Sequence, residues 1–268
     1  MADHVRAYLR AAFSWGLKSE HDYRSAAPRR FHLKTNPAAS IPTEPKKFGT
    51  RWLTEREFVT LYRWLERPGR RAYRPYANAL RLLMLTGQRV DEIAKLHISQ
   101  WDAQDRIIDW SVTKNKRPHA IPLPAMAADL IESITPNEHG WFFPSMNDPT
   151  RPVTKETLYS FMWRQRGRGL IPTVTNRDLR RTWKTLAGKA GLSKDIRDRL
   201  QNHSMQDVAS RHYDRWDYMP EKREAMKIWN DFLTKLLPPP QTPVRAVPRP
   251  ANDSAPRISL FAIQRRDA

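Results

Sequence analysis

The spacing of apolar residues along the chain predicts a mainly helical protein whose helices are separated by polar or proline-rich connections. The first segment, from Val5 to Lys18, carries an apolar stripe at helical spacing. The stripe consists of Val5, Tyr8, Leu9, Ala12 and Phe13. A stripe of this length should be covered by other elements, but this helix is the only one predicted before the proline-rich stretch from Asn36 to Arg51. That stretch is typical of an interdomain linker. We therefore expect the chain to begin inside a domain.

A second domain is predicted to open at the sequence LTEREF, where Thr54 and Glu57 form a capping box and Leu53 can pack on Phe58. An apolar helix that begins at Ala77 and is closed by Gly87 follows it. Further helices are predicted around Ala125 to Ser133, Lys155 to Arg164, Leu179 to Ala190 and Lys194 to Leu200, with a last one from Glu221. The last helix aligns Ala225, Ile228, Trp229, Phe232, Leu233 and Leu236 on one face.

Two short runs of alternating residues, RIIDWSV and HAIPL, flank the polar turn TKNKRP and predict a β-hairpin. The predicted class is therefore mainly α with a small β-sheet or hairpin, an α+β arrangement. From residue 238 onward the sequence is rich in proline and polar, and it predicts a disordered tail.

Charge narrows the range of partners. Lys and Arg number 47 against 28 Asp and Glu, a formal net charge of +19 with a pI near 10.5. An excess of this size indicates a polyanionic partner, most commonly nucleic acid. A ribosomal or tail-driven basic protein is the alternative, but the basic residues here run through the predicted helices. The sequence has no cysteine, which excludes disulfides and cysteine-ligated zinc. It shows neither a signal peptide nor an apolar run of about 18 residues, so we expect a soluble cytoplasmic protein without a membrane partner.

Cleavage of a phosphodiester through a covalent intermediate needs a nucleophile, cations on the non-bridging oxygens and an acid for the leaving group. Arg89, at the junction after Gly87, can present its planar fork to a phosphate, or it can be a surface arginine paired with Asp91 or Glu92. Lys114 and Lys116 lie in the hairpin turn, where a lysine can reach a minor groove and donate a proton, although hairpin turns often carry exposed lysines.

Arg177 and Arg180 share one face of a predicted helix and repel each other unless an anion lies between them, although a solvated basic face would show the same pattern. His203 precedes Tyr213 by ten residues, and Tyr218 lies just before the last helix. A single histidine usually has a structural role and a tyrosine usually packs against its neighbours, so neither residue alone identifies a catalytic site.

The order and spacing of these elements resemble the catalytic domain of the tyrosine recombinases, the phage integrase family. That family reads T-G-x-R-x-x-E, a lysine on a β-hairpin, H-x-x-R, then G-H-x and a tyrosine about ten residues later. The chain has TGQRVDE, TKNKRPHAIPLP, RDLR and NHS followed by HY. The closing HYDRWDYMPEKREAMKIWNDFL is similar to integrases of temperate phages and genomic islands. The resemblance covers residues 50 to 236, and NPAASI resembles the end of the family's core-binding domain.

The resemblance implies a role for each residue. Tyr213 matches the nucleophile that forms a 3′-phosphotyrosine, and Arg89 and Arg180 would hold the scissile phosphate. Lys114 would protonate the leaving 5′-hydroxyl, and His203 would hydrogen-bond a non-bridging oxygen. Neither a metal nor another cofactor is implied.

The sequence departs from the family in two respects. The first histidine of H-x-x-R is Arg177, whose guanidinium can donate to a phosphate but cannot act as a general base. His212, next to the nucleophile, is one candidate for that role. The chain is also short at its N-terminus, which should weaken contacts with DNA.

The resemblance implies a site-specific DNA recombinase that integrates or excises a phage or mobile element, working as a homo-tetramer on double-stranded DNA with a host DNA-bending protein and an excisionase. The alternative is a truncated, non-catalytic DNA-binding remnant that occupies attachment sites. A metal-dependent nuclease is disfavoured because no ligand-like cluster is visible. The expected organisation is a core-binding remnant at 1–41, a linker at 42–50, the catalytic domain at 51–237 and the tail at 238–268.

Overall fold

The computed structural model describes residues 2–24, 30–43, 49–67, 74–111, 118–203 and 217–238. The chain divides into two compact units, Met1–Thr50 and Arg51–Ala268. Among the described residues, no helix is long and apolar enough to cross a membrane.

The described part of the first unit contains one long helix and a loop that returns along it. Helix α1 spans Ala2–Lys18 and continues into a short 3-10 turn, Ser19–His21. The side-chain amide of Asn36 donates to the carbonyl of Arg10 and to the hydroxyl of Ser14, both at 2.8 Å. The predicted helix is confirmed. Its apolar stripe stays exposed within this unit, since Val5, Tyr8 and Leu9 are 51%, 74% and 44% exposed.

The second unit opens with helix α2, Glu55–Glu66. The predicted capping box is present, because the Thr54 side chain accepts from the Glu57 amide and the Glu57 carboxylate accepts from the Thr54 amide. The later helices are α3 (Arg74–Thr86), α4 (Val90–Ala94), α5 (Ala125–Glu132), α6 (Lys155–Gly167), α7 (Asn176–Lys189), α8 (Lys194–Leu200) and α9 (Met219–Leu236).

Three strands among the described residues of the second unit form one small antiparallel sheet. Strands β1 (Trp101–Asp102), β2 (Ile107–Trp110) and β3 (His119–Pro122) pair in the order β1-β2-β3. The predicted hairpin is confirmed as β2 and β3, with Trp110 opposite His119. Strand β1 was not predicted, because two residues are too few to show an alternating pattern.

The core of the second unit surrounds α3, whose side chains are buried on nearly every face. Trp183 of α7 and Trp229 of α9 meet edge to face at 5.8 Å, and the indole of Trp229 donates to the Leu85 carbonyl at 2.7 Å. On α9, Met226 is buried whereas Ile228 is 38% exposed, so the predicted apolar face was wrong at Ile228. Helices α7 and α9 are thereby packed around the C-terminal end of α3.

Candidate active site

Helix α3 ends at Gly87, and this glycine determines where Arg89 lies. Gly87 has φ +64°, and a Cβ atom added to it would lie 2.4 Å from the ring of Trp183. A larger residue would therefore suffer both backbone strain and a clash with the core. After this turn Arg89 takes the N-cap position of α4.

The side chain of Arg89 makes two directed contacts. One nitrogen of its fork donates to Oε1 of Glu92 at 2.9 Å, and another donates to the carbonyl of Asn202 at 2.9 Å. The side chain is 20% exposed. The predicted pairing with Glu92 is therefore present, and Asp91 instead faces Lys95 and Lys155. Because a carboxylate and a carbonyl orient the fork, its direction is set before any ligand binds.

Arg180 reaches the same turn from helix α7. Its Nη1 donates to the Gly87 carbonyl at 3.0 Å, and its Nη2 donates to the carbonyl of Gln201. Burial, and then the nearby charge of Arg89, lower the pKa of Arg180 to about 10. The guanidinium is therefore still charged at neutral pH, but it is poorly solvated.

Three consecutive residues after α8 organise the site. The carbonyls of Gln201 and Asn202 accept from Arg180 and Arg89 respectively, and His203 follows directly. The amide of Gln201 donates to the carbonyls of Gly87 and Arg180, both at 3.1 Å, which locks the turn onto α3 and α7. Two arginines thus meet in a half-buried site, in which Glu92 forms an ion pair with Arg89 and attracts Arg180 through its charge. The surplus of positive charge suits an anion such as a phosphate.

His203 lies beside a second charged cluster. Its Nδ1 is 2.9 Å from Oδ1 of Asp198, and the ammonium of Lys184 donates to the same oxygen. Burial lowers the pKa of His203, the hydrogen bond to Asp198 raises it, and the charges of Arg180 and Lys184 lower it, with a net lowering. Burial alone would raise the pKa of Asp198, but hydrogen bonds from Lys184 and His203 bring it down to about 2.

The strand that follows the hairpin turn is tied to the arginine site by buried polar groups. The amide of Gln88 donates to the carbonyls of Leu200 at 2.8 Å and Thr86 at 3.1 Å, so its Oε1 accepts from Nε2 of His119 at 3.1 Å. Burial lowers the pKa of His119 to about 3. On the other side of β3, the buried Lys222 of α9 donates to the Ala120 carbonyl at 3.0 Å. One end of the hairpin is therefore held close to Arg89.

Arg177 lies in the first turn of α7 and is exposed. It makes no hydrogen bond or ion pair with any part of the chain that the structure describes. Leu179, Trp183 and Leu186 of the same helix are buried, as predicted. Arg177 is thus free to contact a ligand that approaches this helix end.

Tyr218 has a packing role in the structure. It is the N-cap of α9 with φ +57°, and Pro220 follows within the first turn. Its ring stacks on the guanidinium of Arg199, whose central carbon lies 3.4 Å from the ring centre. Tyr218 therefore packs at the start of the last helix.

Lys114, His212 and Tyr213 lie outside the described residues. Sequence reasoning missed Lys184, Asp198 and Gln201. Lys184 stands four residues after Arg180 on the same helix face, a spacing that could have pointed to it. Within the described ranges, no three His, Asp or Glu side chains cluster in a way that could hold a metal ion.

Comparison with known proteins gives the family. A family model with the description "Phage integrase family" matches residues 51–218. The chain belongs to the phage integrase family of tyrosine recombinases. Prophage integrase IntA of Escherichia coli K12 is 27% identical over 157 residues, covering 56% of this chain and 37% of that protein. Prophage integrase IntF of the same strain is 24% identical over 240 residues, covering 84% of this chain and 48% of that protein. The chain thus spans less than half the length of these curated relatives.

Solved structures confirm the predicted fold class. The integrase from mycobacterium phage Brujita has a TM-score of 0.53 at 18% identity, covering 84% of this chain and 70% of that one. A lambda integrase dimer bound to a COC′ core site has a TM-score of 0.56 at 19% identity, and the match covers 79% of this chain and 74% of that one. A Tn1549 transposon integrase in complex with circular intermediate DNA has a TM-score of 0.52 at 17% identity, covering 83% and 76%.

Proposed function

We propose that this chain is the catalytic part of a site-specific DNA recombinase that cleaves and rejoins strands through a 3′-phosphotyrosine. One observation carries the proposal. Arg89 and Arg180, 91 residues apart in the chain, share a half-buried site in which the carbonyls of Gln201 and Asn202 orient them. These carbonyls belong to the turn that leads into the segment containing Tyr213.

In the proposed reaction the hydroxyl oxygen of Tyr213 releases its proton to water and bonds to the scissile phosphorus, while the bond from phosphorus to the 5′-oxygen breaks. Lys114 supplies the proton that the leaving oxygen takes. Arg89 and Arg180 neutralise the charge on the non-bridging oxygens, and their fixed orientation avoids reorganisation during the reaction. A 5′-hydroxyl from a partner strand then attacks the phosphotyrosine, which conserves the energy of the phosphodiester.

The proposed partner is double-stranded DNA at an attachment site of a phage or mobile element. The net charge of +19 supports this, as do the printed descriptions of the lambda and Tn1549 integrases with DNA. A homo-tetramer, a host bending protein, an excisionase and a cytoplasmic location belong to the same proposal. So do the domain roles: a core-binding remnant at 1–41, a linker at 42–50, catalysis at 51–237 and a tail at 238–268.

A non-catalytic DNA-binding remnant is the alternative function, because a net charge of +19 supports DNA binding whether or not the chain cleaves DNA. A duplex carrying the attachment site, nicked a few nucleotides beyond the cleavage position, separates the two. Cleavage releases a short fragment and traps the protein on the DNA. The recombinase forms an adduct that survives denaturing electrophoresis, whereas the remnant binds the same duplex and forms none.

DNA affinity should fall steeply with salt. Many Lys and Arg side chains displace counterions from the phosphates, so the dissociation constant on a short duplex should rise by about 1000-fold or more between 50 and 200 mM salt. Fluorescence anisotropy of a labelled duplex measures this without knowledge of the target sequence. A nearly flat dependence of log K on log salt would contradict the nucleic-acid proposal.

Arg177 should act as an additional phosphate ligand. Arg177→Ala should lower single-turnover cleavage by up to about 100-fold, as expected for the loss of one charged donor. Arg177→His should keep or raise the rate, because histidine can both donate and exchange a proton near neutral pH. Equal cleavage rates for the wild type and both variants would show that Arg177 is not part of the active site.

A further inference from the structure

Helix α8 ends in a capping turn that closes on a residue with a left-handed backbone. The amide of Asn202 donates to the carbonyl of Arg199 at 3.0 Å, and the amide of His203 donates to the carbonyl of Asp198 at 2.9 Å. Asn202 has φ +49°, a conformation that glycine adopts freely, that asparagine tolerates and that most other residues disfavour. The shape of this turn therefore depends on which residue stands at position 202.

The carbonyls that the capping turn leaves unpaired are the ones that bind the two arginines. Carbonyls at the end of a helix lack partners within the helix and need donors from elsewhere. The Gln201 carbonyl accepts from Nη2 of Arg180, and the Asn202 carbonyl accepts from Nη2 of Arg89 at 2.9 Å. The arginines thus complete the cap of α8, and the cap in turn sets the direction of their forks.

Both acceptors flank the α-carbon of Asn202. The planar peptide group that carries the Gln201 carbonyl turns with φ of Asn202, and the Asn202 carbonyl turns with ψ of the same residue. Gln201 cannot adjust freely, because it is 1% exposed and its side-chain amide donates to the carbonyls of Gly87 and Arg180. A change of Asn202 to a right-handed backbone would therefore alter the angle between the two carbonyls, and they could no longer both meet their arginines.

We infer that Asn202 is a positioning residue for strand cleavage, because its left-handed backbone aims two carbonyls at Arg89 and Arg180. The inference rests on the proposed function, in which these arginines hold the scissile phosphate. The role requires no contact between Asn202 and DNA, and it depends on the backbone conformation of the residue and not on its side-chain amide. Glycine at this position should therefore serve as well as asparagine, whereas residues with a Cβ atom should not.

Three substitutions at position 202 separate the backbone from the side chain. Asn202→Gly, Asn202→Ala and Asn202→Val all remove the amide, but glycine adopts the left-handed region freely and the β-branched valine disfavours it most. Single-turnover cleavage should stay within about 3-fold of the wild type for glycine, and fall by about 10-fold for alanine and about 100-fold for valine. DNA affinity should stay within about 2-fold in all three, since no charge is removed. Equal cleavage rates for the glycine and valine variants would overturn the inference.

Gly169 provides the matched control for backbone strain. It has φ +68°, and no atom lies within 4 Å of a Cβ added to it, so Gly169→Ala and Gly169→Val impose similar strain without a clash. Each alanine variant should lower the melting temperature by about 2 to 4 °C, but cleavage should fall only for the substitution at position 202. Equal losses of cleavage at positions 169 and 202 would attribute the effect to stability and overturn the inference.

The mobility of the two forks can be measured in the free full-length protein, independently of any cleavage. With ¹⁵N-labelled arginine, NMR reports how fast each guanidinium rotates, and Arg89→Lys and Arg180→Lys identify the signals of each residue. Rotation of the Arg89 fork should be faster by about 5-fold or more in Asn202→Val, as expected for the loss of one hydrogen bond, and unchanged in Asn202→Gly. Unchanged rotation of both forks in Asn202→Val would overturn the inference. The expected rotation rates in a protein that forms no adduct with nicked DNA would overturn the proposed function, while leaving the contact between the turn and the arginines in place.

Discussion

Replacing Tyr213 with phenylalanine should abolish covalent attachment to nicked DNA while leaving DNA binding almost unchanged. The substitution removes one hydroxyl and no charge, so the contacts of Lys and Arg with phosphates persist. A phenyl ring cannot attack phosphorus, and we expect adduct formation to fall by more than about 1000-fold. The measurement is denaturing electrophoresis of the protein with a nicked attachment-site duplex, with anisotropy on the same duplex to record affinity.

Tyr218→Phe is the matched control for that substitution. The ring of Tyr218 lies on the guanidinium of Arg199, and a phenyl ring keeps this contact. We therefore expect adduct formation within a few-fold of the wild type. If Tyr218→Phe loses the adduct and Tyr213→Phe retains it, the nucleophile has been misassigned.

Arg180→Ala should lower single-turnover cleavage by about 1000-fold. Its guanidinium is poorly solvated and preoriented by the carbonyls of Gly87 and Gln201, and loss of one such donor typically costs 100- to 1000-fold. The turn should survive, because the Gly87 carbonyl still accepts from the Gln201 amide at 3.1 Å. Thermal unfolding of the variant, recorded beside the cleavage rate, separates lost chemistry from lost structure.

The adjacent Arg181 provides the control for charge and position. It pairs with Asp178 at 2.6 Å and its side chain is 39% exposed, so Arg181→Ala should cost less than about 1 kcal/mol of stability and change cleavage little. Arg180→Lys keeps the charge but cannot span two carbonyls, and we expect it to be nearly as impaired as Arg180→Ala. If Arg180→Ala cleaves at the wild-type rate, or if the cleavage rates of the two alanine variants fall equally, Arg180 has no specific role in cleavage.

Local signals were enough to predict most of the second unit. The capping box of Thr54 and Glu57 marked the start of α2, and the run closed by Gly87 marked the end of α3. The start of α3 was placed three residues late, at Ala77 instead of Arg74, although Pro75 suits a first turn. The inward face of α9 was misjudged at Ile228, because tertiary packing buries Met226 instead.

The candidate site was only partly predictable. Arg89, Arg180 and His203 could be named because the order of their motifs resembles a family, and the structure brings all three to one turn. Apart from the Glu92 carboxylate, the groups that orient the arginines are backbone carbonyls, which every residue has and which therefore leave no trace in the sequence. Asp198 has no distinctive motif of its own, and its role depends on where α8 ends relative to α7.

The identity of the residue bonded to DNA tests the central claim most directly. The wild-type protein trapped on a nicked attachment-site duplex can be digested with trypsin and nuclease and examined by mass spectrometry. We predict a nucleotide 3′-phosphate on Tyr213, in the peptide of residues 212–215 between the cleavages after Arg211 and Arg215. The absence of any adduct, or a phosphate on Tyr218 or another residue, would contradict the assignment of this chain as a tyrosine recombinase that acts through Tyr213.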